Sequence, residues 1–192
     1  RRFTSASDPL PRTHLLSNGR YVVMLTAAGG GYSHCGPLAV TRWREDVTRD
    51  AWGSFVFLRD VLTGQVWSTG YQPSGVEPQA YAATFLEDRA EIQRRDGNLF
   101  TTLEVLVSPE DDAEIRRVSL INLGNEAREI DVTSYAELVL APPRADDAHP
   151  AFSNIFVQTE AVPELDTLLA TRSPRSLEEE RLWAAHVMAV EG

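Results

Sequence analysis

Residues 90–107, which read AEIQRRDGNLFTTLEVLV, give the strongest indication of the fold class. Two runs of strand character meet at Asp96-Gly97, a dipeptide typical of the type I′ hairpin turn, which needs positive φ. In the second run Leu103, Val105 and Val107 fall on one face, at the two-residue period of a strand. The stretch therefore predicts two antiparallel strands joined by a tight turn.

The same pattern recurs along the chain. Weaker turn signals stand at Thr63-Gly64 and Gly124-Asn125, and Pro109 to Asp112 is an acidic turn. The runs of strand character are residues 20–26, 38–41, 54–59, 81–86, 90–94, 99–107, 115–123, 128–140, 152–159, 168–171 and 183–190. Helical patterns are weak: Ser176 to Arg181 has a capping pattern, but we interpret it as an exposed acidic loop. About eleven closely spaced strands predict an all-β fold, a large antiparallel β-sandwich.

Composition limits the class of protein. The 192 residues suffice for one domain with a core of its own. With 18 basic and 28 acidic residues the net charge is −10, which disfavours nucleic acid as a partner. Every basic residue is Arg, which reflects either codon usage or recognition of carboxylates and phosphates by guanidinium groups. No apolar run approaches the ~20 residues of a membrane helix.

Other features concern the compartment and the chain ends. The single Cys35 cannot form an internal disulfide and fits a reducing compartment. No signal peptide is visible. Because the chain begins without Met and ends in a strand-like run, we expect it to be a piece of a longer protein.

The glycine run Gly29-Gly30-Gly31, followed by Tyr32 and Ser33, has two interpretations. Three glycines allow backbone N–H groups to turn toward an anion or a sugar hydroxyl. No Lys-Ser/Thr pair follows, so the run is not a phosphate-binding P-loop. A tight loop after the preceding strand explains the run equally well.

Aromatic and basic residues form a second candidate feature. Arg42-Trp43-Arg44, Trp52, Trp67 and Tyr71 supply planar surfaces and forked donors. Sugars bind by stacking their apolar faces on aromatic rings, while Arg, Asp or Asn holds the hydroxyls. The alternative is that the tryptophans anchor the core or the loops.

Metal and nucleophile chemistry find little support. His149 with Asp146 and Asp147 offers metal-ligand types, but no second His lies near, and we expect no metal and no cofactor. His34 beside Cys35 has the residue types of a thiol nucleophile pair, yet adjacent residues rarely present both side chains to one substrate. No carboxylate pair stands out as a glycosidase acid and base. We therefore predict no catalytic residue.

Several blocks of the sequence resemble those of a known protein family. The matching blocks are residues 16–21, 29–33, 41–46, 52–60, 67–68 and 72–73. They resemble the amino-terminal module of inverting disaccharide phosphorylases, the cellobiose and chitobiose phosphorylases of glycoside hydrolase family 94, formerly glycosyltransferase family 36. The later blocks 134–137, 149–154 and 158–160 are similar to the version in cyclic β-1,2-glucan synthases. The resemblance runs from about Arg12 to Gly192.

The resemblance implies a galactose-mutarotase-like supersandwich that precedes an (α/α)6 barrel, which carries the catalytic acid and the phosphate site. For the glucan synthases, the resemblance implies a membrane enzyme that builds a linear β-1,2-glucan from UDP-glucose and closes it into a ring. The phosphorylase-like region of such an enzyme would set the length of the glucan. The chain would thus belong to a glycosyltransferase or glycoside phosphorylase acting on β-glucans, at the cytoplasmic side of the bacterial inner membrane, and perform no chemistry itself.

Two departures from the family affect these expectations. The family sandwich is usually longer than this chain, so we expect the sandwich to be incomplete at its C-terminus. His34-Cys35 stands where bulkier aromatic or basic residues are common. We take residues 1–15 as a lead-in and 16–192 as a single sandwich domain.

The leading hypothesis is that the loops of the sandwich help shape the sugar-acceptor side of the barrel's active site and contact a β-glucan oligosaccharide. Tyr32 would stack on a glucose ring, and Ser33 with Arg42 or Arg44 would hold hydroxyls, on a loop formed by Gly29, Gly30 and Gly31. If residues 42–44 form a strand, the two arginines share one face and Trp43 is a core candidate.

Two alternatives remain open. A structural module would pack against the barrel, or form a homodimer, and touch no sugar; a large exposed apolar patch would favour it. A free-standing carbohydrate-binding module is disfavoured by the apparently truncated ends and by the lack of a linear row of exposed aromatics.

Overall fold

The computed structural model describes residues 1–8, 10–44, 51–148, 150–174 and 180–191. The strands in these ranges are β1 (Arg2–Phe3), β2 (Thr13–Ser17), β3 (Tyr21–Thr26), β4 (Gly31–Cys35), β5 (Leu38–Thr41), β6 (Ser54–Asp60), β7 (Val66–Ser68), β8 (Ala80–Phe85), β9 (Ala90–Asp96), β10 (Leu99–Val107), β11 (Glu114–Asn122), β12 (Ile130–Ala136), β13 (Leu138–Ala141), β14 (Val157–Val162), β15 (Thr167–Arg172) and β16 (Leu182–Val187). The helical segments are α1 (Pro143–Ala148), α2 (Pro150–Asn154) and a 3₁₀ turn (Pro163–Leu165).

These strands assemble into four sheets. Sheet 1 has the order β1-β8-β9-β10-β11 and sheet 2 the order β13-β5-β4-β3-β2. Sheet 3 is β12-β6-β7 and sheet 4 is β14-β15-β16. Neighbouring strands in each sheet run antiparallel. The prediction of an all-β antiparallel sandwich is confirmed.

The main core lies between sheets 1 and 2. It is built by alternate residues, such as Val23 and Leu25 of β3 and Leu103 and Val105 of β10, each at most 4% exposed. Burying an aliphatic side chain of this size stabilises the fold by about 1.5–3 kcal/mol. A smaller cluster joins sheet 3 to sheet 1 and consists of Leu58, Trp67 and Leu99.

The predicted hairpin is present. Asp96 of β9 pairs with Leu99 of β10, and Gly97 between them has φ 63°. Because Gly97 alone takes positive φ at the two central positions, the turn follows the type II′ rather than the type I′ pattern. Leu103 and Val105 are buried and Val107 is half-buried, as the two-residue period requires.

Several elements differ from the sequence predictions. Residues 31–35, expected as a loop, form strand β4. Strands β1, β2 and β7 are not predicted, because their residues show no strong strand pattern. The run 128–140 is two strands, since β12 pairs with β6 in sheet 3 whereas β13 pairs with β5 in sheet 2. Residues 1–15 contain β1 and the start of β2, and the domain boundary at residue 16 stays a prediction.

Short helices replace two expected stretches. Residues 143–148, which belong to none of the predicted strands, form α1, which begins at Pro143, a residue that favours the first helical position. Residues 150–154 form α2, where a strand was expected from residue 152. Helices this short depend on tertiary packing and carry no clear periodicity. The acidic stretch expected at 176–181 lies largely outside the described residues. No helix in the described ranges is long and apolar enough to cross a membrane.

Candidate functional site

An open hollow of about 330 Å³ lies between β4, the segment after β5, β13 and α1. Its wall contains three aromatic side chains, Tyr32, His34 and Trp43. Its charged groups are Arg42, Arg44, Asp146 and Asp147, and its small apolar surface comes from Ala39, Val139 and Pro143. The hollow therefore combines planar apolar surface with charged groups.

The aromatic wall is continuous. Tyr32 and His34 are two residues apart on β4 and share a face, with ring centroids 4.7 Å apart. The edge of Trp43 meets Tyr32 at 5.5 Å and an interplanar angle of 64°. All three rings are half-buried, so part of each faces solvent. Burial lowers the pKa of His34, which makes its imidazole neutral near pH 7.

Arg42 lies behind this wall and is 5% exposed. Its Nε and Nη2 donate to the two carboxylate oxygens of Asp146, at 3.0 and 2.9 Å. Nη2 also donates to Asn154 Oδ1 at 2.6 Å, and Nη1 donates to Glu137 Oε1. The Arg42 backbone N–H donates to Glu137 O at 2.8 Å. Arg42 thus ties together the end of β5, the start of β13, α1 and α2.

Arg44 belongs to the same network but lies nearer the surface. Its Nη2 donates to Asp146 at 2.5 Å, and its Nη1 donates to Asp147 at 2.8 Å and to Trp43 O at 3.0 Å. Asp146 is 1% exposed and accepts from both arginines. Burial opposes its ionisation, but hydrogen bonds from Arg42 and Arg44 outweigh burial and hold the pKa of Asp146 below its usual value.

The structure brings together three of the four expected sugar ligands. Tyr32, Arg42 and Arg44 meet at the hollow. Ser33 points to the other face of β4, where it is 1% exposed and donates to Glu114 Oε2 at 3.0 Å. The roles of these residues as sugar ligands stay predictions.

Residues 42–44 follow β5 and do not continue it, because the strand ends at Thr41. The expected alternation of the two arginines and Trp43 therefore does not apply. Arg42 is buried, whereas Trp43 is half-buried at the hollow instead of lying in the core. By contrast, Trp67 is 3% exposed within the cluster that joins sheets 1 and 3, as expected of a core anchor.

The three glycines are buried, and their N–H groups are used inside the protein. Gly31 N donates to Trp52 O at 2.9 Å, and Gly30 N donates to Thr26 Oγ1 at 3.1 Å. A Cβ on Gly31 would lie 1.9 Å from Met24 O, and Gly29 has φ 97°. Close backbone packing therefore explains the run, which favours the tight-loop interpretation.

The acidic partners of Arg42 and Arg44 are not predicted from the sequence. There, Asp146 and Asp147 are candidate metal ligands together with His149, which lies outside the described residues. In the structure they instead neutralise Arg42 and Arg44. No group of three or more His, Cys, Asp or Glu suited to a metal is present in the described part of the chain. Nothing in the sequence marks residues 146–147 as the partners of residues 42–44, which lie about a hundred positions away.

Comparison with known proteins gives a consistent family. The model of the Glycosyl hydrolase 94 supersandwich domain matches residues 1–192. Over 184 residues the chain is 44% identical to cyclic beta-(1,2)-glucan synthase NdvB of Rhizobium meliloti (strain 1021), covering 94% of this chain and 6% of that protein.

Two phosphorylases are more distant relatives. N,N'-diacetylchitobiose phosphorylase of Vibrio furnissii is 25% identical over 162 residues, 82% of this chain and 20% of that protein. Solabiose phosphorylase of Paenibacillus borealis is 26% identical over 176 residues, 88% of this chain and 22% of that protein. The chain thus spans less than a quarter of the length of these three relatives.

Proposed function

This chain belongs to the Glycosyl hydrolase 94 supersandwich family, and from that premise we propose that it binds one sugar unit of a β-glucan in the hollow beside β4 and performs no chemistry itself. The observation that carries the proposal is the wall of three contiguous, half-buried aromatic rings beside exposed polar groups. The hollow, at about 330 Å³, lies within the size range of small-molecule sites, ~300–1,000 Å³.

The side chains divide into contacts and supports. Tyr32 and Trp43 offer ring surface on which the apolar face of a glucose unit can stack. Arg44 donates to sugar hydroxyls, and Asp147, whose side chain is 59% exposed, accepts from them. Arg42 acts from behind, because its donors are held by Asp146, Glu137 and Asn154. The hydroxyl of Ser33 faces Glu114, and we place it outside the contact set.

The names of the relatives support a proposal about the enzyme in which this contact is made. Those three proteins are named for glucan synthesis and for phosphorolysis of disaccharides. We propose that the chain is the non-catalytic sugar-side module of such an enzyme and shapes the acceptor side of the active site of an (α/α)6 barrel. The bound ligand would be a β-glucan oligosaccharide, and the parent enzyme would lie at the cytoplasmic side of the inner membrane.

Calorimetric titration of this chain with β-1,2-linked gluco-oligosaccharides tests the proposal, with cello-oligosaccharides as comparison. We expect saturable binding that Trp43→Ala weakens about tenfold, the equivalent of about 1.4 kcal/mol for one lost stacking surface. Trp183→Ala is the matched control, because Trp183 is 57% exposed on β16, away from the hollow. An equal loss in both variants would contradict the proposal, as would no binding at millimolar sugar by a chain that circular dichroism shows to be folded.

One observation favours a second function, a structural or dimerisation module. Trp183 and Val187 lie on the same face of β16, opposite Thr171 and Thr167 of β15, and are 57% and 61% exposed. Apolar side chains exposed together on one sheet mark interaction surfaces. Sedimentation equilibrium would then give a dimer that Trp183→Asp dissociates; a monomer at all concentrations would exclude self-association through this sheet.

A further inference from the structure

The four charged groups that line the hollow balance, and a fifth group, Glu137, pairs with Arg42 outside the lining. Two guanidinium groups, those of Arg42 and Arg44, pair with three carboxylates, those of Glu137, Asp146 and Asp147. The imidazole of His34 is neutral near pH 7 because burial lowers its pKa. Counted together, the described groups of this network carry one net negative charge, which comes from Glu137 and not from the lining of the hollow.

The two arginines are poorly placed to accept an anionic ligand. Arg42 is 5% exposed and is held by Asp146 through two hydrogen bonds. A phosphate or carboxylate that displaced Asp146 would leave that buried carboxylate without its charge partners, which is strongly unfavourable. Arg44 is shared between Asp146 and Asp147. Among the described residues that line the hollow, both guanidinium groups are therefore already paired with carboxylates, which disfavours an anion as the ligand.

In the ion pair at the surface of the hollow, the carboxylate is more exposed to an incoming ligand than the guanidinium. The side chain of Asp147 is 59% exposed, whereas that of Arg44 is 24% exposed. A neutral hydroxyl can donate a hydrogen bond to the Asp147 carboxylate. A carboxylate or phosphate substituent on the sugar cannot donate such a bond, and at a separation of a few ångström it is repelled.

We infer that the hollow selects neutral glycans and rejects glycans with anionic substituents, and that Asp147 is the residue that sets this preference. The inference rests on the proposed function, because it concerns the choice of ligand at the same hollow. The repulsion between the exposed Asp147 carboxylate and an anionic substituent is electrostatic, so added salt weakens it.

The test compares two ligands of equal length: a neutral gluco-oligosaccharide, and the same oligosaccharide with one glucose replaced by glucuronic acid. At low salt we expect the neutral ligand to bind about threefold more tightly, as one screened unit charge at ~6 Å predicts. Asp147→Asn should remove most of this preference, and 0.5 M salt should reduce it. Asp88→Asn is the matched control, because Asp88 is also an exposed Asp paired with an Arg, at 2.9 Å from Arg89, outside the hollow.

The outcomes separate the two proposals. If neither ligand binds, the proposed function fails and the inference fails with it. If both ligands bind equally to the native chain, or if Asp147→Asn and Asp88→Asn change the preference equally, the inference is overturned while the proposed function stands. Recovery of glucuronide binding in Asp147→Asn alone supports the inference.

Discussion

Two buried arginines, Arg94 and Arg42, are held by different kinds of ligand. Arg94 is 0% exposed and donates to the backbone carbonyls of Ser68, Gly70 and Val76 and to the carboxylate of Asp96. Arg42 donates to the side chains of two carboxylates and one amide. A buried guanidinium can therefore either fix the path of the backbone, as Arg94 does, or hold acidic side chains in place beside a surface hollow, as Arg42 does.

The two arginines stabilise different parts of the molecule. Carbonyl ligands tie the loop of residues 68–76 to β9, so Arg94 stabilises the chain path. Carboxylate ligands hold Arg42 at the back of the hollow, while the pair of Arg44 and Asp147 exposes its carboxylate more than its guanidinium. We expect Arg94 to matter mainly for stability, and the Arg42 network to matter for both stability and sugar binding.

The largest effect is expected from Arg94→Met. It leaves Asp96 and the carbonyls of the 68–76 loop without their donor in a buried region. Removing one partner of a buried charged network costs about 3–5 kcal/mol. Urea unfolding followed by circular dichroism measures this loss. Arg95→Met, at the exposed neighbouring position, should change the free energy of unfolding by about 0.5 kcal/mol or less. Similar losses in the two variants would remove the contrast.

A smaller effect is expected from Asp146→Asn, which keeps an acceptor oxygen but loses the charge that holds Arg42 and Arg44. We expect a loss of about 2 kcal/mol in the free energy of unfolding, the size of a charge-assisted hydrogen bond. Weaker sugar binding should accompany it, because Arg44 and Trp43 lose their support. Asp131→Asn breaks only the exposed pair with Arg59 and should cost about 0–1 kcal/mol. Unchanged sugar affinity in Asp146→Asn would show that the network of Arg42 and Arg44 does not contribute to sugar binding.

A pH-dependent effect is expected at a turn outside both arginine networks. The backbone N–H of Thr63 and the guanidinium of Arg128 lower the pKa of Asp60 to about 2. Because the folded-state pKa is depressed, the contribution of Asp60 is fully present above the unfolded value near 4 and is lost as the pH falls toward 2. Thermal unfolding across this pH window should show a shallower slope in Asp60→Asn than in the native chain. Parallel curves would show that this carboxylate is not linked to folding.

The sequence predicts the parts of the fold that depend on local pattern. Leu103 and Val105 alternate along β10, and Gly97 allows the turn before it, so both features follow from neighbouring residues. Strand β4 contains glycine and histidine in place of β-branched residues, and α1 has only six residues, so neither has a local signal. Both are fixed by tertiary pairing.

The candidate site is predictable only in part, for the same reason. The sequence predicts that Tyr32, Arg42 and Arg44 belong to one site, but it also predicts that the arginines bind sugar hydroxyls. Their actual partner Asp146 lies 104 residues from Arg42 along the chain. No local pattern reveals that two charges so far apart will meet. Likewise, the direction of Ser33 depends on which residue begins β4, and one residue of register reverses the face.

The most direct measurement follows the indole Nε1–H signals of the four tryptophans in proton–nitrogen NMR spectra as a β-1,2-linked gluco-oligosaccharide is added. Trp43 lies in the wall of the hollow, whereas Trp67 is buried in the core and Trp183 is exposed on β16. We expect the Trp43 signal to shift and saturate while those of Trp67 and Trp183 stay in place. Movement confined to Trp183, or no movement at saturating millimolar sugar, would contradict a sugar site in this hollow.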